Sequence, residues 1–428
     1  MGESALTAPP KPARLWSLPV LSWALYDLAN TMFSMSIVSL YFSLWVVNVM
    51  GGNDQMYGNA NALSMALMFL TAPLIGAISD QASRRKPFLV ISTLLCVLFT
   101  ALLGVGGLGW SLLFFVVANY MFQAGLIFYD SLLPEVSTPE NRGRVGGLGI
   151  GLGYLGSFII VGLGLMIVRD ERPEAFLTMF RLTALLFFIF ALPCFLFVHE
   201  RARRTAGLSW RVVRGAFGQV RHTVAHAREF PGLVRFLVGR IFYTDPVNTV
   251  IVFMGVYVTN EVNFTTTEAQ LLLLVAIAAA VVGGFVWGIV VDRIGPKRTL
   301  NVVLGLWMVD FLVAVAIAVF DWPKALFWGA GVLAGIALWG TWAADRPWML
   351  ILSPPKFVGE FYGLYSMVGR FAAIVGPFMW GLIVDQLGLG RPAAVFTLFL
   401  FVVVAFLILQ GVDDRPREWP PELQLEAQ

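Results

Sequence analysis

Gly76-Ala77-Ile78-Ser79-Asp80-Gln81-Ala82-Ser83-Arg84-Arg85-Lys86 closes one long apolar stretch and opens the next, and Gly288-Ile289-Val290-Val291-Asp292-Arg293-Ile294-Gly295-Pro296-Lys297-Arg298 does the same 212 residues later. Each copy holds a glycine, an aspartate four residues on, and a basic cluster in a short loop between two apolar segments of membrane length. The repetition marks a duplicated membrane protein, and duplicated helix bundles are how many secondary transporters are built.

Composition agrees. Hydrophobic residues are 58% of the 428 and charged residues 13%, about half the charged share of a soluble domain. So much apolar surface needs a bilayer as its solvent. Residues 1–14 are polar and contain Pro9, Pro10 and Pro12, and the first apolar run is too long for the core of a secretory signal, so none is expected. Cys96 and Cys194 lie inside apolar runs and read as packed thiols. With no nucleophile–base pair, metal-ligand cluster or nucleotide motif in context, neither an enzyme nor a metal, cofactor or nucleic-acid partner is expected. Gly151-Leu152-Gly153-Tyr154-Leu155-Gly156 spells G-x-G-x-x-G, but no strand precedes it.

Stretches of roughly 20 apolar residues number twelve: 18–48, 57–79, 87–108, 110–130, 145–168, 176–198, 235–259, 267–291, 298–320, 324–345, 361–385 and 391–411. The fold class is therefore all-α membrane protein, with twelve transmembrane helices in two pseudo-symmetric six-helix bundles. The divisions are an N-terminal tail 1–17, bundles 18–198 and 235–411, a linker 199–234 and a C-terminal tail 412–428. Of the 29 Lys and Arg, 22 lie in the termini and the even-to-odd connections. That asymmetry places both termini and the linker in the cytoplasm, in an inner-membrane protein of a bacterial cell. In the linker, Trp210, Val213, Phe217, Val220 and Val224 follow a three-four spacing among Arg211, Arg214, Arg221 and Arg228, the pattern of a basic amphipathic helix on the membrane surface. His199, His222 and His226 are all the histidines and belong to this segment, where solvated positions are expected.

The repeat extends into the spans. Asp27, Asn30 and Thr31 in the first span match Asp245, Asn248 and Thr249 in the seventh, displaced by 218. Residues i, i+3 and i+4 share a helix face, so each half projects a carboxylate, an amide and a hydroxyl in one direction. A charge at such depth costs about 2.5–3.5 kcal/mol on insertion scales, so the two aspartates must face water or a buried base. Arg370, about nine residues into the eleventh span, needs a partner for the same reason: Asp27, Asp245 or a substrate carboxylate. Arg240 is read as snorkelling to the interface. Asp310 is read as a relay or as a private hydrogen bond between helices.

The loop motifs resemble those of the major facilitator superfamily, with Ser83 standing where the family usually has glycine. Trp23 to Asn30, Leu133-Pro134-Glu135 with Arg142-Gly143-Arg144-Val145, Gly239 to Asp245, and Gly359 to Tyr365 are similar to the UMF1 branch, related to fungal vacuolar effluxers of the Atg22 type, which are linked to amino-acid release. The tryptophan-rich Leu338 to Arg346 departs from that pattern, as does the absence of an antiporter-type Gly-Pro pair in the fifth span. The resemblance implies alternating access and a cavity lined by helices one, four, seven and ten. Asp27, Asn30, Thr31, Asp245, Asn248 and Thr249 would then face the cavity with Asn119, Tyr120 and Gln123, while Trp339 and Trp342 form an aromatic wall. Asp80 and Asp292, with Arg84, Arg85, Lys297 and Arg298, would close the cytoplasmic gate, aided by Asp130 and Arg142.

These readings converge on a monomeric secondary transporter of a small polar solute, amino-acid-like, zwitterionic or cationic. A carboxylate that alternates between water and a desolvated site can carry a proton as coupling ion. The rivals are an exporter of amphipathic drugs or lipids, and a non-transporting receptor or assembly factor.

Overall fold

The computed structural model describes residues 16–413 apart from 82–83, 139–140, 170–171, 201–217 and 219–220, together with 419–420 and 423. The side chains of 77–81, 143, 231 and 359 also lie outside the description. The expected linker helix therefore falls largely outside it, as does the side chain of Asp80.

Among the described residues, twelve long helices make the fold. They are α1 (Leu18–Val49), α2 (Asp54–Gln81), α3 (Lys86–Ala101), α4 (Leu108–Ser131), α5 (Arg142–Ile167), α6 (Pro173–Phe197), α7 (Pro231–Asn260), α8 (Thr266–Ile294), α9 (Pro296–Val319), α10 (Leu326–Leu352), α11 (Val358–Gly381) and α12 (Gly390–Gln410). Eleven are long and apolar enough to cross a bilayer; α3, at 16 residues, is shorter. It ends at Ala101, short of the expected 108, and Gly104, Gly106 and Gly107 take positive φ in the turn into α4. Helix α1 is interrupted by wide π turns at Ser34–Leu40 and Trp45–Val49, and α11 runs on through another at Leu382–Gln386.

Packing repeats the sequence duplication. In the first half α1 packs on α5 and α6, α4 on α2 and α3, and α3 on α6; in the second half α7 packs on α11 and α12, α10 on α8 and α9, and α9 on α12. The halves meet along α2–α11, α5–α8 and α1–α7. Side chains such as Phe285, Leu185 and Leu407, each more than half exposed, cover the outside with apolar surface. Such a belt is stable only against lipid tails. Twelve crossings bring Leu18 and Gln410 to one face, here the terminal face; the other is the far face.

The basic loops act within halves. Arg85 donates to the carbonyl of Ser131 at the end of α4 at 2.8 Å, and Lys86 to that of Val198 after α6 at 2.8 Å. In the second half Lys297 donates to Gln410 and Val412 at the end of α12. Glu200 accepts from the backbone of Arg85 and Lys86 at the start of α3. Cations at helix C-termini and a carboxylate at an N-terminus are favourable dipole contacts. Contact of the loop cations with helix ends is part of the expected gate; among the described residues Arg84, Asp292 and Arg298 are exposed, and these contacts of Arg85, Lys86 and Lys297 lie within their own halves.

Candidate functional site

Trp23 and Tyr26 both stack on Tyr129 of α4, with ring centroids 4.6 and 4.9 Å apart. The Trp23 indole N–H donates to the Tyr129 carbonyl, and the Tyr26 hydroxyl pairs with that of Thr93 at 2.6 Å. This aromatic clamp fixes the rotation of α1. Asp27, next to Tyr26, and Asp130, next to Tyr129, come within electrostatic range of each other. Helix α5 closes on them through its glycines: a Cβ on Gly153 would stand 2.8 Å from the Thr31 hydroxyl, so a larger residue would push α5 away.

Asp27 and Thr31 line a cleft of about 540 Å³ with Ile150, Gly153 and Tyr154 of α5 and Trp339, Trp342, Ala343 and Arg346 of α10. The α10 residues are spaced i, i+3, i+4 and i+7, one face of a helix. Arg346 is exposed at the terminal-face mouth of the cleft. Tyr154 and Trp339 meet edge to face at 5.6 Å across the halves. Asp130 lies within electrostatic range of both Arg346 and Arg370. Asp130 of the first half thus faces two guanidinium groups of the second, with Asp27 beside it.

The mirrored half is built differently. Asp245 is 1% exposed and its carboxylate lies against the backbone of Gly376, with no side-chain partner among the described residues. It faces α11 where Gly376 has no side chain; a Cβ there would lie 2.8 Å from the Asp245 carboxylate oxygen. The expected shared cavity of two aspartates is therefore corrected: Asp27 lines the cleft, whereas close packing at Gly376 seals Asp245. Thr31 and Thr249 donate equivalently to the carbonyls of Asp27 and Asp245, at 2.9 Å each. Asn30 is turned into the bundle, with both amide atoms unpartnered, and Asn248 is half-buried.

Other expected residues are dispersed. Asn119 is fully buried and donates to Asn61 and Ser64 of α2, and the Tyr120 hydroxyl meets Thr71 at 2.9 Å; both tie α4 to α2 and lie outside the cleft wall. Gln123 is half-buried on α4, and Arg142 is exposed. Arg370 lines a smaller neighbouring space of about 300 Å³ with Glu360 and Ser366, and the carboxylate within electrostatic range of it is that of Asp130. His226 is packed against Phe357 at 4.4 Å and lies 3.5 Å from Glu360, which corrects the expected solvated position.

Arg240 also departs from expectation. It is 4% exposed and pairs with Asp345 at 3.3 Å, lies 3.7 Å from the Tyr365 ring centroid, and donates to the Tyr365 carbonyl. Tyr243 and Tyr365 donate to the same Asp345 oxygen. Two opposite charges inside spans of one half were the signal for this pair. Removing one partner of a buried pair costs about 3–5 kcal/mol, so Arg240→Ala is expected to lower the Tm in detergent by several degrees, read by thermal unfolding. An unchanged Tm would mean that the pair contributes nothing.

The far face is closed between the halves by a cluster the sequence reading missed. Asp54, fully buried at the start of α2, accepts two bonds from Arg391 at 2.8 Å and one from the Trp380 indole. Arg391 also donates to Glu261, the Gln55 N–H to Asp385, and Asn260 to Asn48. The signal was the scarcity of basic residues on that face: Arg391 had to answer an acid. These contacts join the halves at the far face, while exposed Arg346 stands at the terminal-face end of the cleft.

The model of the family described as vacuole effluxer Atg22 like matches residues 54–416, most of the chain. The chain belongs to that family. This Atg22-like protein is 26% identical over 412 residues to the uncharacterized MFS-type transporter YxiO of Bacillus subtilis (strain 168), covering 92% of this chain and 94% of the relative. Its fold is that of the nucleoside transporter NupG, with TM-score 0.70 at 12% identity over 92% of this chain and 98% of that one. The D-xylose–proton symporter is similar as well, with TM-score 0.71 at 14% identity over 92% and 97% of the two chains. The Atg22-like protein is a multi-pass integral membrane transporter of the major facilitator type.

Proposed function

We propose that this protein moves a small zwitterionic or cationic solute of amino-acid type by alternating access, with proton coupling, in a bacterial inner membrane with both termini cytoplasmic. The observation that carries this reading is the charge arrangement in and beside the cleft: Asp27 and Arg346 line it, and Asp130, within electrostatic range of Asp27, lies within range of Arg346 and Arg370 as well. An ammonium group pairs with the acidic wall and a carboxylate with the guanidinium wall, which can grip it bidentately. The indoles of Trp339 and Trp342 offer faces to a cation between them. A solute that bridges the walls draws the two halves together, and closure on one side is what opens the other in a rocking transporter. Asp27, exchanging its proton for the solute ammonium, is the proposed coupling group. The basic residues gathered at the terminal face support the cytoplasmic placement, and on that placement the far-face cluster supports reading this conformation as inward-open.

A thermal-shift screen of the purified protein tests the assignment. Amino acids are expected to raise the Tm, and to raise it more than the matching amine or carboxylic acid alone. A shift produced by sugars or nucleosides and by no zwitterion would overturn it.

A further inference from the structure

Between the closed far face and the Tyr154–Trp339 contact lies a second pocket, of about 210 Å³, that the charged cleft does not use. Thr31 and Tyr154 line both spaces. The walls are apolar, formed by residues such as Met254, Leu272, Ile277 and Phe327, and one acidic side chain reaches them, Asp310 of α9. Asp310 is 3% exposed and its Oδ1 has no hydrogen-bond partner. No charged side chain among the described residues acts on it. This departs from the private interhelical hydrogen bond that was one of the two readings of its sequence position. The Ser39 hydroxyl, also buried and unpartnered, lines the same pocket. Trp307, one turn before Asp310, donates its indole N–H to Thr341 and not to the carboxylate.

We infer that this pocket is a separate binding site for a compact lipophilic ammonium, a primary amine on an aryl or short alkyl body, with Asp310 as its counter-ion. The chemistry excludes the alternatives in turn. A zwitterion would bury a carboxylate where no base answers it. A neutral apolar molecule would leave the acceptors of Asp310 and Ser39 unmet, and buried polar groups without partners are costly. A hard metal ion takes about six to eight oxygen ligands, which these walls do not supply. Size agrees as well: an apolar cavity of about 150 Å³ holds benzene, so this one accommodates a ring with a two-carbon amine arm. The inference concerns equilibrium binding and stands or falls apart from the transport reading.

The test is binding of tritiated 2-phenylethylamine to the full chain in nanodiscs, with unlabelled amine or 2-phenylethanol as competitor. The amine is expected to compete at least about tenfold better than the alcohol, the worth of a hydrogen bond to a charged group. Asp310→Asn removes that preference. Ala334→Phe fills the pocket with the carboxylate retained, and it lowers amine binding by a similar factor even if Asp310→Asn fails to fold. Equal competition by amine and alcohol, or amine binding that survives the pocket-filling substitution when Asp27→Asn has removed the carboxylate of the charged cleft, overturns the inference.

Discussion

Asp27→Asn is expected to reduce solute flux in proteoliposomes by about a hundredfold, the upper end of what one charge-assisted contact is worth, without changing the Tm. The expectation rests on how the residue is held. Trp23 and Tyr26 clamp α1 against Tyr129, and Thr31 bonds the backbone carbonyl of Asp27, so the carboxylate takes no part in fixing the helix. Asparagine has the same shape and removes only the charge. The acidic wall then loses the group that meets a solute ammonium and carries a proton. Asp245→Asn should behave differently, because its sealed carboxylate faces α11 and no cleft. Equal flux through wild type and Asp27→Asn would remove Asp27 from the mechanism.

Arg391→Ala is expected to open the far face. The guanidinium joins Asp54 of the first half to Glu261 of the second, and Asp54 has no other basic partner among the described contacts. Loss of one member of a buried pair costs about 3–5 kcal/mol, which moves a two-state equilibrium by roughly a hundredfold or more. That cost falls on the far-closed state alone, since in the open state Asp54 meets water. Spin labels on Met56→Cys and Leu389→Cys, both exposed at the far face, report the change. The native Cys96 and Cys194 are buried and do not compete for label. Arg391→Ala should add a second, longer distance population. A single short distance in both proteins would show that the cluster does not hold the face shut.

Apolar periodicity and the duplicated Gly–Asp–basic loops made the twelve helices and their two bundles legible, because a bilayer imposes length and hydrophobicity on every span. That Asp27 lines a cleft follows from its mid-span position, because a carboxylate there must be answered by water or charge, and Thr31 shares its helix face. Symmetry then misled. Asp245 occupies the matching position, yet Gly376 lets α11 seal it, and close approach between non-adjacent helices is written in neither residue alone. Asn119 was assigned to the cavity by resemblance, whereas Asn61 and Ser64 on α2 were nearer partners. The Asp54–Arg391 cluster joins residues more than 300 positions apart, a pairing that composition cannot specify. Arg346 was readable: with Trp339, Trp342 and Ala343 it forms one stripe along α10.

The most direct measurement is counterflow in proteoliposomes loaded with a millimolar mixture of unlabelled amino acids. Labelled amino acid added outside should accumulate transiently through the wild-type protein and not through Asp27→Asn. Competing zwitterions should suppress the signal, while the corresponding amines and carboxylic acids alone should do so weakly. Absence of counterflow for every zwitterion tested, or equal suppression by sugars, would contradict the assignment of the charged cleft as the solute site.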